Sequence, residues 1–245
     1  MSFFGITSPA SLIALYADPT ATPKAAIGAI AEDELGGRWR YCLAGGNILN
    51  PLLLAGGHKQ PTDLTPGATA VGSYTIACTG LSDASCTKDQ YAGGSVVIYK
   101  SGNSRLYYIA GNTASATTTT TLTLISPVLH AIAGTEWATI NPSPYRDVRI
   151  MAGNYYGAIC APLQPVTSGY YFWGKTRGFC YGTVASTVPG AAANDRALVV
   201  TASGALQMAD ESYGGGVSHQ MVGYLLPRTG GAYGGGDQSY MLQLE

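Results

Sequence analysis

Few residues in this 245-residue chain are of types that carry chemistry, and their spacing assembles no site. His58, His130 and His219 stand in three different contexts, and none has a second histidine at the spacing a zinc site uses. Cys42, Cys78, Cys86, Cys160 and Cys180 include no Cys-x-x-Cys pair, which removes the zinc-ribbon and thioredoxin-type patterns. They read as buried reduced thiols, with Cys78–Cys86 and Cys160–Cys180 as open pairings if the protein works in an oxidising compartment. Glu32-Asp33-Glu34 reads as a solvated acidic face or a contact with a basic partner. Asp210 and Glu211 are adjacent and would point to opposite faces of a strand, so no carboxyl pair is placed for glycoside hydrolysis. There is no Gly-x-Ser-x-Gly elbow, no His-Glu-x-x-His and no Walker loop. Gly214-Gly-Gly-Val-Ser-His219 lacks the lysine and the following helix that a phosphate cradle needs. No catalytic, metal or cofactor site is predicted, and the chain is expected not to be an enzyme.

The concentrated group is aromatic. Tyr170-Tyr-Phe-Trp173 runs into Gly174-Lys-Thr-Arg-Gly178, and Trp39 and Tyr41 alternate with Arg38 and Arg40. Alternation along a strand puts Tyr171, Trp173 and Lys175 on one face and Tyr170, Phe172 and Thr176 on the other, with Arg177-Gly178 as the turn of a hairpin. Both faces are aromatic, so both are expected to be covered, one by core and the other by a neighbouring subunit. Trp39, Tyr41, Tyr170, Tyr171, Trp173 and Arg177 are therefore the interface candidates. A sugar-binding platform of Tyr170, Tyr171 and Trp173 is the competing reading.

Composition points the same way. Charged residues make up 11% of the chain, under half the roughly 25% of a typical soluble domain. A surface so poor in charge tends to associate, which predicts an assembly that buries much of it. A net charge of −1 argues against phosphate neutralisation, so nucleic acid is not an expected partner. The longest apolar runs fall short of the roughly 20 residues a membrane helix needs, and the N-terminus shows no basic segment leading into an apolar one, so neither a span nor a secretory leader is predicted.

The elements that must position these residues read as strands. Ser11–Tyr16 and Lys24–Glu34 have the most helical composition, divided by Pro19 and Pro23, and both are too short to stand alone in water. They form an arm that is either extended for a partner or tucked on its own domain. Arg38–Leu43 alternates as a half-exposed strand. Ala70–Ala77 and Thr117–Ile125 are strand candidates, the latter with Leu122 and Leu124 on one face. Ser95–Tyr99 and Arg105–Ile109 flank a hairpin turn, as do Ala197–Thr201 and Ala205–Met208. Met221–Leu226 and Ser239–Leu244 close the chain as strands, and Ser126–Gly134 reads as a turn of helix or an irregular crossover. Tyr-Gly-Gly-Gly at Tyr213–Gly216 and Tyr233–Gly236 marks two loops. Asn141–Pro144 is the best internal boundary. The expected fold is mainly β: antiparallel β-sandwich or barrel-like domains behind an extended N-terminal arm with little helix. The arm and the strand it leads into occupy 1–45, a first β subdomain 46–140 and a second 145–245, or the β part is one continuous domain, 46–245.

Three stretches carry a resemblance: Ala29-Ile-Ala-Glu-Asp-Glu-Leu-Gly-Gly-Arg-Trp-Arg-Tyr-Cys-Leu-Ala-Gly-Gly46; Arg105-Leu-Tyr-Tyr-Ile-Ala-Gly-Asn112 with Pro144-Tyr-Arg-Asp-Val148; and Tyr156-Gly-Ala-Ile-Cys160 through Gly169–Gly178. In these the chain resembles the virion decoration (cement) and head structural proteins of tailed bacteriophages. The resemblance covers most of residues 25–226; the cysteines and the Tyr-Gly-Gly-Gly loops are not part of its pattern. It implies a non-enzymatic, β-rich protein made in the host cytoplasm, often a homotrimer. Such a protein sits on the outer capsid surface and bridges major capsid protein subunits. A tail or fibre component is the alternative within virions.

Overall fold

Runs of β-branched and aromatic residues cut by Gly and Pro favour a pleated, half-buried surface, and they fold here as strands. The computed structural model describes residues 12–57, 63–81, 85–100, 103–151, 157–184, 196–209, 220–226 and 238–245. One helical turn, α1 (Leu12–Leu15), precedes β1 (Ile30–Glu32), β2 (Arg38–Ala44) and β3 (Ala55–Gly56). Then come β4 (Thr65–Pro66), β5 (Thr75–Thr79), β6 (Ser95–Lys100), β7 (Asn103–Asn112), β8 (Thr119–Leu124) and β9 (Trp137–Asn141). The chain continues through β10 (Arg146–Ile150), β11 (Ala158–Cys160), β12 (Tyr171–Gly182), β13 (Ala197–Val200) and β14 (Leu206–Met208), and closes on β15 (Met221–Leu225) and β16 (Gln238–Gln243). The fold is mainly β; among the described residues the paired strands run antiparallel except β2 with β10, and the isolated bridge Val184–Leu206 is also parallel.

Two units form: Lys59–Pro144, and Met1–His58 together with Tyr145–Glu245. The division therefore differs from one that sets residues 1–45 apart and starts a subdomain at 46. The physical reason is pairing: β2 bonds antiparallel to β12 and parallel to β10, so the N-terminal segment is built into the sheet of the C-terminal half.

The Lys59–Pro144 unit is a six-stranded sheet in the order β4-β5-β8-β7-β6-β9. Leu64 and Ala138 exchange both backbone hydrogen bonds, at 3.0 and 2.8 Å, so the chain beside β4 returns to β9 and the sheet closes into a barrel. Where Leu64 and Ala138 pair, the two edges of the sheet cover each other, which protects them from recruiting another strand. Inside lie Ile76, Val96, Ile98, Tyr107, Ile109, Leu122, Leu124 and Ile140. Residues 126–134 form no helix; Thr69 and Ile132 pair across the crossover.

In the larger unit the order is β11-β3-β10-β2-β12-β16-β15-β13-β14, with β1 on β2. β12 is the common strand. β2 pairs along its first half and β16 along its second. Both flanks return to it: Ala161 and Lys175 exchange backbone bonds of 2.8 and 2.9 Å, and Leu206 N–H donates to Thr183 at 2.9 Å. Two cores result. Phe172 joins Cys42, Ala44, Ile48, Val148 and Cys160 in one. Cys180 joins Leu198, Val200, Leu206, Val222, Tyr240 and Leu242 in the other.

Two expectations are corrected. Tyr171–Gly182 is one continuous strand of 12 residues rather than a hairpin. Gly178 does not turn the chain. It follows a bulge between Lys175 and Arg177, holds a φ of 107°, and passes so close to Gly37 that an added Cβ would lie 2.9 Å from its Cα. Lys24–Glu34 is not helical, because Ile30–Glu32 pairs with Arg38–Arg40 as a strand. The reading of the cysteines as buried reduced thiols agrees with the structure: all five are free and buried, and neither Cys78–Cys86 nor Cys160–Cys180 is bridged. Four features singled out in the sequence (His58, Asp210–Glu211, Gly214–His219 and the two Tyr-Gly-Gly-Gly loops) lie outside the described residues.

Gly174 faces the first core, where an added Cβ would sit 2.5 Å from Cys160 Sγ and 3.4 Å from Cys42 Sγ. Gly174→Ala is expected to lower unfolding stability by about 1–3 kcal/mol, as overpacking does. A denaturant melt checks this; an unchanged midpoint would show that the two thiols give way freely.

Candidate functional site

The register of β2 on β12 places Tyr41 opposite Trp173 and Leu43 opposite Tyr171. The Tyr41 ring stacks on Tyr171 at 5.9 Å between centroids and meets Trp173 tilted at 5.0 Å. Over these rings runs the segment after α1. Thr20 and Tyr171 exchange backbone bonds of 3.0 and 2.7 Å, Lys24 N–H donates to the Tyr41 hydroxyl at 2.8 Å, and Gly28 N–H to the Tyr41 carbonyl at 2.8 Å. Leu15 is buried beneath, and Tyr16 meets Trp39 edge-on at 5.2 Å. From Leu15 on, the arm is tucked on its own unit.

This splits the interface candidates. Trp39 and Tyr41 are 0% and 2% exposed and are covered by the chain's own arm, so they are not available to a neighbouring subunit. Tyr171 and Trp173 are half-buried against Tyr41, while Tyr170 and Arg177 are exposed. The aromatic face does receive a cover, but the chain supplies it.

Beneath Trp39 lies an ion pair that sequence reasoning missed. Asp33, expected in a solvated acidic cluster, is buried. Its Oδ1 accepts the Leu35 and Gly37 amides at 3.0 and 2.7 Å; its Oδ2 accepts the Trp39 indole N–H at 3.0 Å and faces Lys175 Nζ at 3.4 Å. Lys175 Nζ also sits 4.9 Å from the centre of the Trp39 ring. Burial alone would raise the Asp33 carboxyl, but the Trp39 indole, the Gly37 amide, Lys175 and the Leu35 amide overcome it and hold the group below its ordinary value. Its acceptor capacity is spent on structure, so it is not poised as a general base. The signal available in the sequence was Asp33-Glu-Leu-Gly-Gly37, an Asx-type turn capped by its own aspartate.

Three of the thiols are equally unsuited to chemistry. Burial pushes Cys78 and Cys180 up to about 12 and Cys42 well above its ordinary value, so none supplies a thiolate near neutral pH. Among the described residues no three His, Cys, Asp or Glu side chains come together as a metal site, and no helix is long and apolar enough to cross a membrane.

What the strands do present is apolar surface. Phe179 lies opposite Met241, and Met241 opposite Tyr224, forming one outward row across β12, β16 and β15. Phe179 is 53% exposed and Tyr224 41%, with Met221 on the same strand also exposed. On the barrel, Trp137 lies opposite Tyr99, Leu106 opposite Val97 and Tyr108 opposite Ser95; Trp137, Tyr99, Leu106 and Tyr108 are all exposed. These residues occupy the positions alternating with the core set, which is the pattern that would have found them. Comparisons with known protein families, curated proteins and solved structures return no match for this chain.

A carboxyl held low in the folded state contributes stability that is present above its unfolded value, near pH 3.9, and is lost as pH falls through the folded value. Asp33→Asn is expected to lower stability by about 3 kcal/mol at pH 7, since it leaves Lys175 buried without its partner. The gap between wild type and variant should narrow below about pH 4. Chemical denaturation from pH 2 to 7 checks this; a gap independent of pH would remove the ion pair from the account.

Proposed function

We propose that this chain is a non-enzymatic structural protein of a phage-type virion, a decoration protein. In this reading it binds the outer surface of the capsid shell, bridges major capsid protein subunits, and associates with copies of itself as a homotrimer. The observation that carries the reading is the outward row Phe179–Met241–Tyr224, exposed at Phe179 and Tyr224 and half-buried at Met241, on a chain with only 11% charged residues. Interface cores are enriched in aromatics and methionine and depleted in Lys and Glu. An apolar row of this kind in water favours association. The resemblance in Ala29–Gly46 and Gly169–Gly178 supplies the kind of assembly, and the closed barrel suits a part that must not aggregate through open edges.

The test is mass and binding together. Light scattering should return three copies of the 25.3 kDa chain, and the protein should co-sediment with undecorated capsid shells. A monomer that stays in the supernatant would sink the reading. Phe179→Ser combined with Tyr224→Ser is expected to abolish co-sedimentation or trimer formation while leaving monomer stability within about 0.5 kcal/mol, as surface changes do.

One observation favours a second reading. Tyr99 and Trp137 are adjacent, exposed and beside Asp63 and Thr139, an arrangement on which a sugar ring could stack. Glycan-array binding lost in Trp137→Ala would support that reading over the first.

A further inference from the structure

The barrel of residues 59–144 has a charged mouth. On β6, Val96, Ile98 and Lys100 occupy the inward-facing positions in turn, and on β7 Ile109, Tyr107 and Arg105 do, with Ile98 directly opposite Arg105. Inward positions of a small barrel are ordinarily filled by packed side chains. Here two of the positions in the inward phase near this end, Lys100 and Arg105, are cations. The crossover after β8 brings His130, Ile132 and Glu136 to the same end, and together these residues line a cavity of about 140 Å³. Its floor is Ile98, Tyr107 and Ile132, all buried.

The charge distribution is uneven. Residues 59–144 contain four Lys or Arg residues (Lys59, Lys88, Lys100 and Arg105) and one histidine, His130. Two of those four and the histidine line this one mouth. The single carboxylate present is already engaged. Glu136 accepts the Ala133 amide on both oxygens at 3.0 Å, and its Oε2 also takes the Gly134 and Thr135 amides at 2.9 and 3.1 Å. These amides, Ala133's foremost, hold the Glu136 carboxyl below its ordinary value. Lys100 Nζ approaches Glu136 Oε1 only to 3.8 Å, and its side chain is largely exposed. Among the described residues Arg105 donates one hydrogen bond, from Nη1 to the Ser104 carbonyl at 3.3 Å. Most of the eight N–H donors on an arginine and a lysine are therefore left over.

We propose that the mouth of this barrel is a binding site for a carboxylate on a short apolar stem. The carboxylate lies between Lys100 and Arg105 and the stem rests on Ile98, Tyr107 and Ile132. A guanidinium fork matches a carboxylate with two parallel hydrogen bonds. A dry cavity of about 150 Å³ holds a six-carbon ring, so a ligand of roughly that size fits. The apolar floor selects against a bare inorganic anion. The same chemistry is offered by a free small carboxylic acid and by a glutamate side chain of a docking protein. The site does not depend on the virion reading.

The experiment is a titration of the full-length protein with butyrate, followed by NMR at the His130 ring and the Arg105 side chain. Saturable shifts with Kd on the order of 1 mM are expected for so small a ligand. Neutral butyramide, and butyrate added to Lys100→Met/Arg105→Met, should bind at least tenfold more weakly, with the rest of the spectrum unchanged. N-acetylglutamate N-methylamide binding as well as butyrate would assign the site to a partner's side chain; weaker binding would assign it to a free acid. No saturable shift, equal shifts with butyramide, or undiminished binding in the double variant would overturn the proposal. Inorganic phosphate binding more tightly than butyrate would also overturn it, in favour of a general anion site.

Discussion

The larger unit depends on the backbone pairing of one strand. β12 hydrogen-bonds β2 along its first half and β16 along its second, and both ends of the sheet path come back to it. Its buried positions include Phe172, Gly174, Thr176, Gly178, Cys180 and Gly182, a set with little side-chain volume. Small residues there let neighbours approach closely: Cys160 and Cys42 at Gly174, Gly37 at Gly178, and Tyr240 at Gly182. Two separate cores meet on one strand because that strand is thin where they converge.

The buried Asp33–Lys175 pair follows from the same strand. Lys175 is held by the backbone exchange with Ala161, its amine lies over Trp39, and Asp33 closes the turn that returns the chain into β2. A charge taken out of water is tolerable only with its partners in place, so the pair constrains the approach of Trp39 and β12 more than it adds net stability. The C-terminus is tied nearby: Glu245 accepts two bonds from Arg40, at 2.8 and 3.0 Å, and one from the Tyr145 hydroxyl. Arm, β2, β12 and the last residue are thus one interlocked element.

With the inner aromatics consumed by this interlock, the aromatics that stay exposed include those on outward positions of β12, β15 and the barrel. Their side chains are apolar where most soluble proteins place Lys and Glu, and that is the physical basis for reading the chain as a part of an assembly. The barrel mouth is a different kind of surface. Cations stand there at positions whose neighbours along the strand are core, which sets a recognition chemistry apart from the flat apolar rows.

By itself the sequence determined the β class, the position of most strands and the break near Asn141–Pro144. It also determined that Leu122 and Leu124 would share one face. These are local properties: period-two alternation, turn residues and composition act over a few neighbours. Only the tertiary structure decided that β2 joins strands more than a hundred residues away, and that Gly178 allows a close approach rather than a turn. It also decided that Trp39 and Tyr41 are hidden under the arm, that Asp33 is buried, and that Lys100 and Arg105 face into a barrel. Each of these depends on which distant backbone comes to lie alongside, and pairing energy between remote segments leaves no mark on the spacing within either one.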